Sequence, residues 1–126
     1  MAGLNLERRK YEAGQPLFLE GDAGEMAFLI EDGAIMVYKR QIDGAEKSIA
    51  LLRRGDILGE MSLIDDEPRT ASAKALETST VALIPREMFQ ARVANSDPIV
   101  RMLLKVFTQR LRDAVHKAIN APQSTW

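Results

Sequence analysis

Short apolar runs separated by glycine-containing turns fill residues 11–86, and this pattern constrains the fold more than any other feature. Turn clusters recur at Gly21-Asp22-Ala23-Gly24, Asp32-Gly33, Asp43-Gly44 and Gly55-Asp56. Asp-Gly pairs favour tight turns because glycine adopts positive φ at little cost, so we expect a hairpin at Asp32-Gly33 and a turn at Asp43-Gly44. Seven or eight short strands at roughly ten-residue spacing predict an antiparallel sandwich or barrel.

The sequence changes character at Pro85. Residues 86–94 are rich in helix formers, and Asn95-Ser96-Asp97-Pro98 then provides a break followed by a favourable helix start. Apolar residues recur at three- and four-residue steps from Ile99 to about Asn120, which indicates a second helix. At 126 residues the chain is expected to form a single domain, residues 1–126, with a β-roll followed by C-terminal helices.

One segment, residues 59–73, combines a carboxylate, a guanidinium and a proline turn. Arg69 suits a cyclic phosphodiester, because its planar fork donates two parallel hydrogen bonds and keeps its charge. Backbone amides around Met61 and Ser62, at the start of a short helical turn, are suited to bind an anion. The amides of Thr70 and Ala71 would complete the cradle.

Glu60 requires a different role, since a carboxylate repels phosphate. We expect it to accept a hydrogen bond from a ribose hydroxyl. The alternative is an ordinary surface turn, in which Arg69 pairs with Asp65, Asp66 or Glu67 at a gain of about 0–1 kcal/mol. Glu60 would then only complement the dipole of a short helix. The binding interpretation needs the spacing and the surrounding β-roll together.

The string Gly59-Glu60-Met61-Ser62-Leu63, followed after four residues by Pro68-Arg69-Thr70-Ala71-Ser72, resembles the phosphate-binding cassette of the cyclic nucleotide-binding domain. Upstream, residues 17–22 and 27–33 also match the family pattern. The family includes catabolite activator proteins, regulatory subunits of cyclic AMP-dependent kinase and cyclic nucleotide-gated channels. The resemblance covers about residues 11–118. It implies a mainly β fold with α: an eight-stranded antiparallel β-roll (a double-stranded β-helix) over about 11–86, followed by C-terminal helices over about 86–120.

The resemblance also implies roles for individual residues. Glu60, with the Gly59 backbone, would hold the ribose 2′-OH, and Arg69 would hold the cyclic phosphate beside the amides of Ser62 and Thr70. The predicted ligand-binding set is Gly59, Glu60, Met61, Ser62, Arg69, Thr70 and Ala71. Thr70 occupies a position where members favouring cyclic GMP often carry Thr, but channels preferring cyclic AMP carry it too; we favour cyclic AMP over cyclic GMP. Residues 65–67 are expected to face solvent.

A regulatory receptor module is the function that the resemblance implies. Binding of a cyclic nucleotide would rearrange the C-terminal helices and pass the signal to an effector protein or a fused effector domain. A ligand-free protein-interaction module, working through its helical face on the same roll, is the competing hypothesis. Binding of a different phosphorylated metabolite is a third.

The longer predicted helix carries a stripe of apolar side chains. We expect this stripe to pack on the roll as core, because amphipathic helices usually cover their own domain; a homodimer through residues 99–119, as in the dimeric regulators of the family, is the alternative. Phe107, Leu111 and Trp126 are candidates to cap the base. The stripe comprises Ile99, Leu103, Val106, Phe107, Leu111, Val115 and Ile119, with Met102, Ala114 and Ala118, and the polar residues Arg101, Lys105, Arg112, Asp113 and Lys117 lie opposite.

Several functional classes are disfavoured by what the sequence lacks. His116 is the only histidine, so neither a histidine-rich metal site nor a Ser-His-Asp triad can be built, and we expect no enzyme and no cofactor. A net charge of −1 and the lack of a helix-turn-helix module argue against DNA binding by this chain alone. The absence of cysteine is compatible with the cytoplasm. No apolar run is long enough for a membrane segment.

Overall fold

A computed structural model describes residues 5–64 and 67–120. Within these residues, two four-stranded antiparallel sheets face each other, in the orders β1-β8-β3-β6 and β2-β7-β4-β5. The fold class predicted from the sequence, mainly β with C-terminal helices, is confirmed. The elements are β1 (Arg8–Tyr11), β2 (Pro16–Phe18), β3 (Met26–Asp32), β4 (Ala34–Arg40), β5 (Glu46–Arg53), β6 (Ile57–Leu58), a 3-10 helix (Glu60–Leu63), β7 (Ser72–Ala75), β8 (Ser79–Pro85), α1 (Arg86–Ala94) and α2 (Pro98–Asn120).

The Asp32-Gly33 pair is a corner between the two sheets, and the hairpin predicted there is wrong. β3 pairs with β6 and β8, whereas β4 pairs with β5 and β7. Gly33 has a φ of 98°, and a Cβ at this position would lie 2.1 Å from Oγ of Ser79. The corner therefore depends on both the positive φ and the missing side chain. The turn predicted at Asp43-Gly44 is confirmed, and it joins β4 to β5 as a hairpin whose ladder begins at Arg40 opposite Glu46.

The core lies between the two sheets. It is formed by inward-facing side chains of both, since successive residues of a strand point to opposite faces. Ile30, Ile35 and Val81 are at most 1% exposed. The rest of the cluster includes Tyr11, Phe28, Leu58 and Leu83. Since Leu58 is the last residue of β6, the segment that carries the candidate site leaves directly from the edge of this core.

Helix α2 presents the opposite face to the roll from the one predicted. Among its described side chains, Thr108 and Arg112 are buried, while the apolar stripe is exposed. The expectation that the stripe forms core is therefore wrong for Ile99, Met102, Leu103, Val106, Phe107 and Leu111; the side chains of Val115, Ala118 and Ile119 lie outside the described part. Periodicity identifies an apolar face but does not identify its partner. None of the helices formed by the described residues is long and apolar enough to cross a membrane.

Candidate functional site

The candidate site is built between β6 and β7. Gly59 turns the chain out of β6 with a φ of 78°, and the 3-10 helix follows at once. Ser62 and Leu63, at the end of that helix, are buried. The short helical turn predicted around Met61 and Ser62 is confirmed by this 3-10 helix.

Arg69 is buried under the segment, with only 6% of its surface exposed. Its Nη1 donates a hydrogen bond to the carbonyl of Gly59 at 3.0 Å, and its Nη2 donates to the carbonyl of Met26 at 2.5 Å. The guanidinium carbon lies 4.3 Å from the centroid of the Phe18 ring, a cation–π arrangement. The alternative of an exposed arginine in a surface turn is therefore wrong. Asp65 and Asp66 lie outside the described residues, and Glu67 is exposed as expected.

The backbone of Arg69 is held by the turn between β2 and β3. The amide of Gly21 donates to the carbonyl of Arg69, and the amide of Arg69 donates to the carbonyl of Asp22, each at 2.9 Å. In the same turn, a Cβ on Gly24 would lie 2.1 Å from Cβ of Ser62. Turn and cassette therefore form one packed unit, which explains why the sequence carries a glycine cluster there.

The charge on Arg69 is only partly compensated. Burial lowers the pKa of Arg69 below its ordinary value, and Arg112 lowers it further, while Asp22 and Glu60 act to raise it. The Nε atom is buried and has no hydrogen-bond partner among the described residues. A buried donor without an acceptor costs about 1–3 kcal/mol, so an acceptor entering beside Arg69 would gain that energy back.

A cavity of about 220 Å³ opens beside Arg69. All seven residues predicted from the sequence line it, so the structure brings the whole set together: Gly59, Glu60, Met61, Ser62, Arg69, Thr70 and Ala71. The other walls are mostly apolar, from Phe18, Val37, Ile49, Ala50, Leu52, Ile57 and Leu58. The chemistry of this cavity is thus a buried cation and a carboxylate facing an apolar wall.

The sequence analysis missed two residues of the site. Phe18 lies within a string that was recognised, but nothing indicated that its ring would meet Arg69. Arg112 lines the cavity from α2, although it was assigned to the solvent face of that helix. The predicted base-capping residues Phe107 and Leu111 are exposed and do not line the cavity. Trp126 lies outside the described residues.

A larger cavity, of about 590 Å³, lies between the 3-10 helix, α1 and α2. None of the seven predicted residues lines it, and its walls are largely apolar. Within residues 5–64 and 67–120, no cluster of three acidic or histidine side chains is placed to hold a metal ion.

Comparison with known proteins agrees with this geometry. The family model of the cyclic nucleotide-binding domain matches residues 8–96, which confirms the resemblance found in the sequence. A cyclic AMP receptor protein from Thermus thermophilus is 34% identical over 108 residues, covering 86% of this chain and 50% of that protein. A cAMP-dependent protein kinase regulatory subunit from Aspergillus niger is 36% identical over 96 residues, covering 76% of this chain and 23% of that protein.

Solved structures give the same result. The cAMP-bound form of the EAL enzyme Bd1971 superposes with a TM-score of 0.77 at 36% identity, over 88% of this chain and 30% of that one. Its cGMP-bound form superposes with a TM-score of 0.77 at 35% identity, over 90% of this chain and 30% of that one. The catabolite activator protein of Thermus thermophilus superposes with a TM-score of 0.68 at 32% identity, over 89% of this chain and 53% of that one. The chain spans half or less of the length of the two curated relatives.

Substitution of Gly59 by Ala tests how tightly the segment is packed on Arg69. The new Cβ would lie 2.4 Å from Nη1 of Arg69, and the residue would keep an unfavourable positive φ. Gly55→Ala is the matched control, because Gly55 also has a positive φ but no atom lies within 4 Å of its Cβ position. We expect backbone strain to lower the free energy of unfolding of the control by about 1–2 kcal/mol. Gly59→Ala should lose about 1.5–3 kcal/mol more, because it displaces a charged hydrogen-bond donor.

Urea unfolding of both variants measures this difference. Equal losses for Gly59→Ala and Gly55→Ala would show that the guanidinium adjusts without cost and that the packing around Arg69 is loose.

Proposed function

The chain belongs to the cyclic nucleotide-binding domain family, and we propose that it is a regulatory receptor module that binds a cyclic nucleotide in the cavity beside Arg69. The observation that carries this proposal is the buried guanidinium of Arg69. It has an Nε without a partner in the described part of the chain, and it lines a cavity that also exposes Glu60. A cyclic phosphate supplies one negative charge and two exocyclic oxygens, which match this donor.

The phosphate would lie between Arg69 and the backbone amides of Ser62 and Thr70. Ser62 is fixed in place by its own burial and by the close approach of Gly24. A preorganised cradle of this kind binds an anion without the loss of conformational entropy that ordering a mobile loop would require. We propose Met61 and Ala71, which line the same cavity, as its remaining walls on this side.

The ribose would lie against Glu60, whose carboxylate accepts a hydrogen bond from the 2′-OH with the Gly59 backbone beside it. Glu60 is half-buried and begins the 3-10 helix. Its charge also helps to keep Arg69 protonated. The two charged side chains would thus contact different parts of the ligand, Glu60 the sugar and Arg69 the phosphate.

The base would occupy the apolar wall formed by Val37, Ile49 and Leu52. We propose that cyclic AMP binds more tightly than cyclic GMP. Guanine carries additional polar groups, and burying them without partners is unfavourable. Thr70 lines the same cavity, and its hydroxyl would offset part of that cost. The names of the relatives include cyclic AMP receptors and kinase regulatory subunits, which supports this preference.

The output of the module would be a rearrangement of α1 and α2 that is passed to an effector, either a separate protein or a fused domain. The module would act in the cytoplasm without catalysis of its own. The observation that supports an output through the helices is the contact of Arg112 in α2 with the wall of the cavity.

Removal of the phosphate contact is the first test. Arg69→Ala should weaken cyclic AMP binding by about 1.5–3 kcal/mol, since a hydrogen bond to a charged group is lost. Calorimetric titration with cyclic AMP and cyclic GMP measures both the affinity and the preference. Arg54→Ala, which removes an exposed arginine, is the control. No heat from the wild-type protein with either nucleotide at high micromolar concentration would refute the receptor function and favour the ligand-free interaction module. Competition by linear AMP as strong as that by cyclic AMP would instead favour another phosphorylated ligand.

The sugar contact is tested separately with Glu60→Gln. An amide is a weaker acceptor than a carboxylate, so this variant should lose about tenfold in affinity for cyclic AMP, an effect of about 1.4 kcal/mol. The 2′-deoxy analogue lacks the donor, so the wild-type protein and Glu60→Gln should bind it with nearly equal affinity. Competition binding with the two ligands on the two proteins completes the cycle. The same loss with both ligands would place Glu60 away from the 2′-OH.

The exposed apolar stripe of α2 favours a second element of the proposal, a homodimer through this helix. Ile99 is 62% exposed and Phe107 is 56% exposed. Several further large apolar residues on α2 are also exposed, and a contiguous apolar surface of this kind usually marks a protein interface. A second copy would cover the stripe with an identical one, as closed twofold symmetry requires.

Phe107→Glu is expected to abolish dimerisation, because it places a charge in the centre of the proposed interface. Gln109→Glu adds the same charge to an exposed position on another face of α2 and should leave the dimer intact. Sedimentation equilibrium at several concentrations distinguishes these outcomes. A monomeric wild-type protein at 100 μM, or dimers of equal strength for both variants, would exclude the homodimer.

A further inference from the structure

The contact between α2 and the roll is polar. The two buried side chains among the described residues of α2 are Thr108 and Arg112. Oγ1 of Thr108 donates to the carbonyl of Leu104 at 2.6 Å, within the helix itself. Nη1 of Arg112 instead donates to the carbonyl of Pro68 at 3.3 Å, 44 residues away in the sequence. Arg112 thus links this helix by a hydrogen bond to the segment that carries Arg69.

The position that Arg112 grips is adjacent to the proposed phosphate contact. Pro68 immediately precedes Arg69, whose backbone is fixed by the turn at Gly21 and Asp22. Arg112 also lines the same cavity as Arg69 and Glu60. The helix therefore meets the roll at the wall of the cavity itself, so a change within the cavity acts directly on the contact that holds α2.

Two buried guanidiniums face one cavity. Arg69 is 6% exposed and Arg112 is 4% exposed, so neither charge is well screened by solvent. Burial is the main cause that lowers the pKa of Arg69, and the positive charge of Arg112 lowers it further. In the ligand-free protein this repulsion opposes the docking of α2. A monoanion bound in the cavity attracts both cations and reverses the effect.

We propose that Arg112 couples occupancy of the cavity to the docking of α2, with the negative charge of a cyclic phosphate holding Arg112, and therefore the helix, against the cassette. This inference rests on the proposed function. It names the residue and the interaction through which ligand binding reaches the helix. By thermodynamic linkage, docking of α2 strengthens ligand binding by the same factor by which the ligand strengthens docking.

The exposed stripe of α2 is consistent with this coupling. Since the large apolar side chains of the stripe are exposed, their burial contributes little to docking. Arg112 is therefore one contact through which the position of α2 responds to charge in the cavity.

Two substitutions at Arg112 separate its charge from its bulk. Arg112→Met keeps an aliphatic stem and removes the charge, whereas Arg112→Lys keeps the charge and loses the planar fork. Arg110→Met is the matched control, because Arg110 is exposed on the same helix. Cyclic AMP is the ligand in each titration, and amide hydrogen exchange of residues 104–112 reports the docking of α2. Exchange of β8 amides verifies that each variant retains the folded roll.

We expect cyclic AMP to slow exchange at residues 104–112 in the wild-type protein and in Arg110→Met. Arg112→Met should lose this slowing and bind cyclic AMP at least about fivefold more weakly, the lower end of typical coupling between sites. Arg112→Lys should retain more of both effects than Arg112→Met. A purely steric role would instead leave Arg112→Met similar to the wild-type protein.

The two proposals fail differently. If the wild-type protein binds cyclic AMP but Arg112→Met matches Arg110→Met in affinity and in exchange, the coupling is wrong and the receptor function stands. If Arg112→Lys is no better than Arg112→Met, charge is not the means of coupling and the inference is overturned. If the wild-type protein does not bind cyclic AMP, the receptor function fails, and the coupling fails with it.

Discussion

Burial of the Arg69 guanidinium is the interaction on which the rest of the site depends. A buried cation is unfavourable unless its donors find acceptors, and the described residues supply them from two carbonyls, those of Gly59 and Met26, and from the face of Phe18. These partners come from three separate strands or turns. Holding the cation in this way draws the edge of one sheet, the turn before β3 and the 3-10 helix together. The cavity forms where they meet.

The compensation is incomplete, and this is what gives the cavity its chemistry. Two side-chain donors of Arg69 are paired with backbone, while Nε has no partner in the part of the chain that the structure describes. Arg112 adds a second positive charge, and Glu60 adds one carboxylate at a different wall. A ligand that is anionic at one end, hydroxylated beside it and apolar at the other complements this arrangement better than a simple inorganic anion does.

The sequence predicted the parts of this protein that local chemistry determines. The β-roll, the helix starts and the set of cavity residues follow from glycine-containing turns, from Pro98 and from the spacing of Glu60 and Arg69. The errors concern partners that lie far apart in sequence. An Asp-Gly turn has the same local geometry whether the next strand joins the same sheet or crosses over, so the corner at Gly33 was taken for a hairpin. The stripe on α2 was assigned to the core for a related reason, since its period is the same whatever covers it. Arg112 was missed because a guanidinium on a polar face gives no signal that a carbonyl such as that of Pro68 will meet it.

The hydrogen bonds of Arg69 also bear on how the protein folds. Its Nη2 reaches Met26, 43 residues earlier in the chain, and its backbone pairs with the turn at Gly21 and Asp22. Contacts of such separation carry a large loop-closure entropy and form slowly compared with local hairpins. The β4–β5 hairpin, which carries the apolar wall of Val37, Ile49 and Leu52, pairs residues that are close in sequence and is expected to form early. Ligand-binding competence should therefore arise late in folding, when the two halves of the roll close on each other, and a nascent chain that ends before β7 has no cavity to fill.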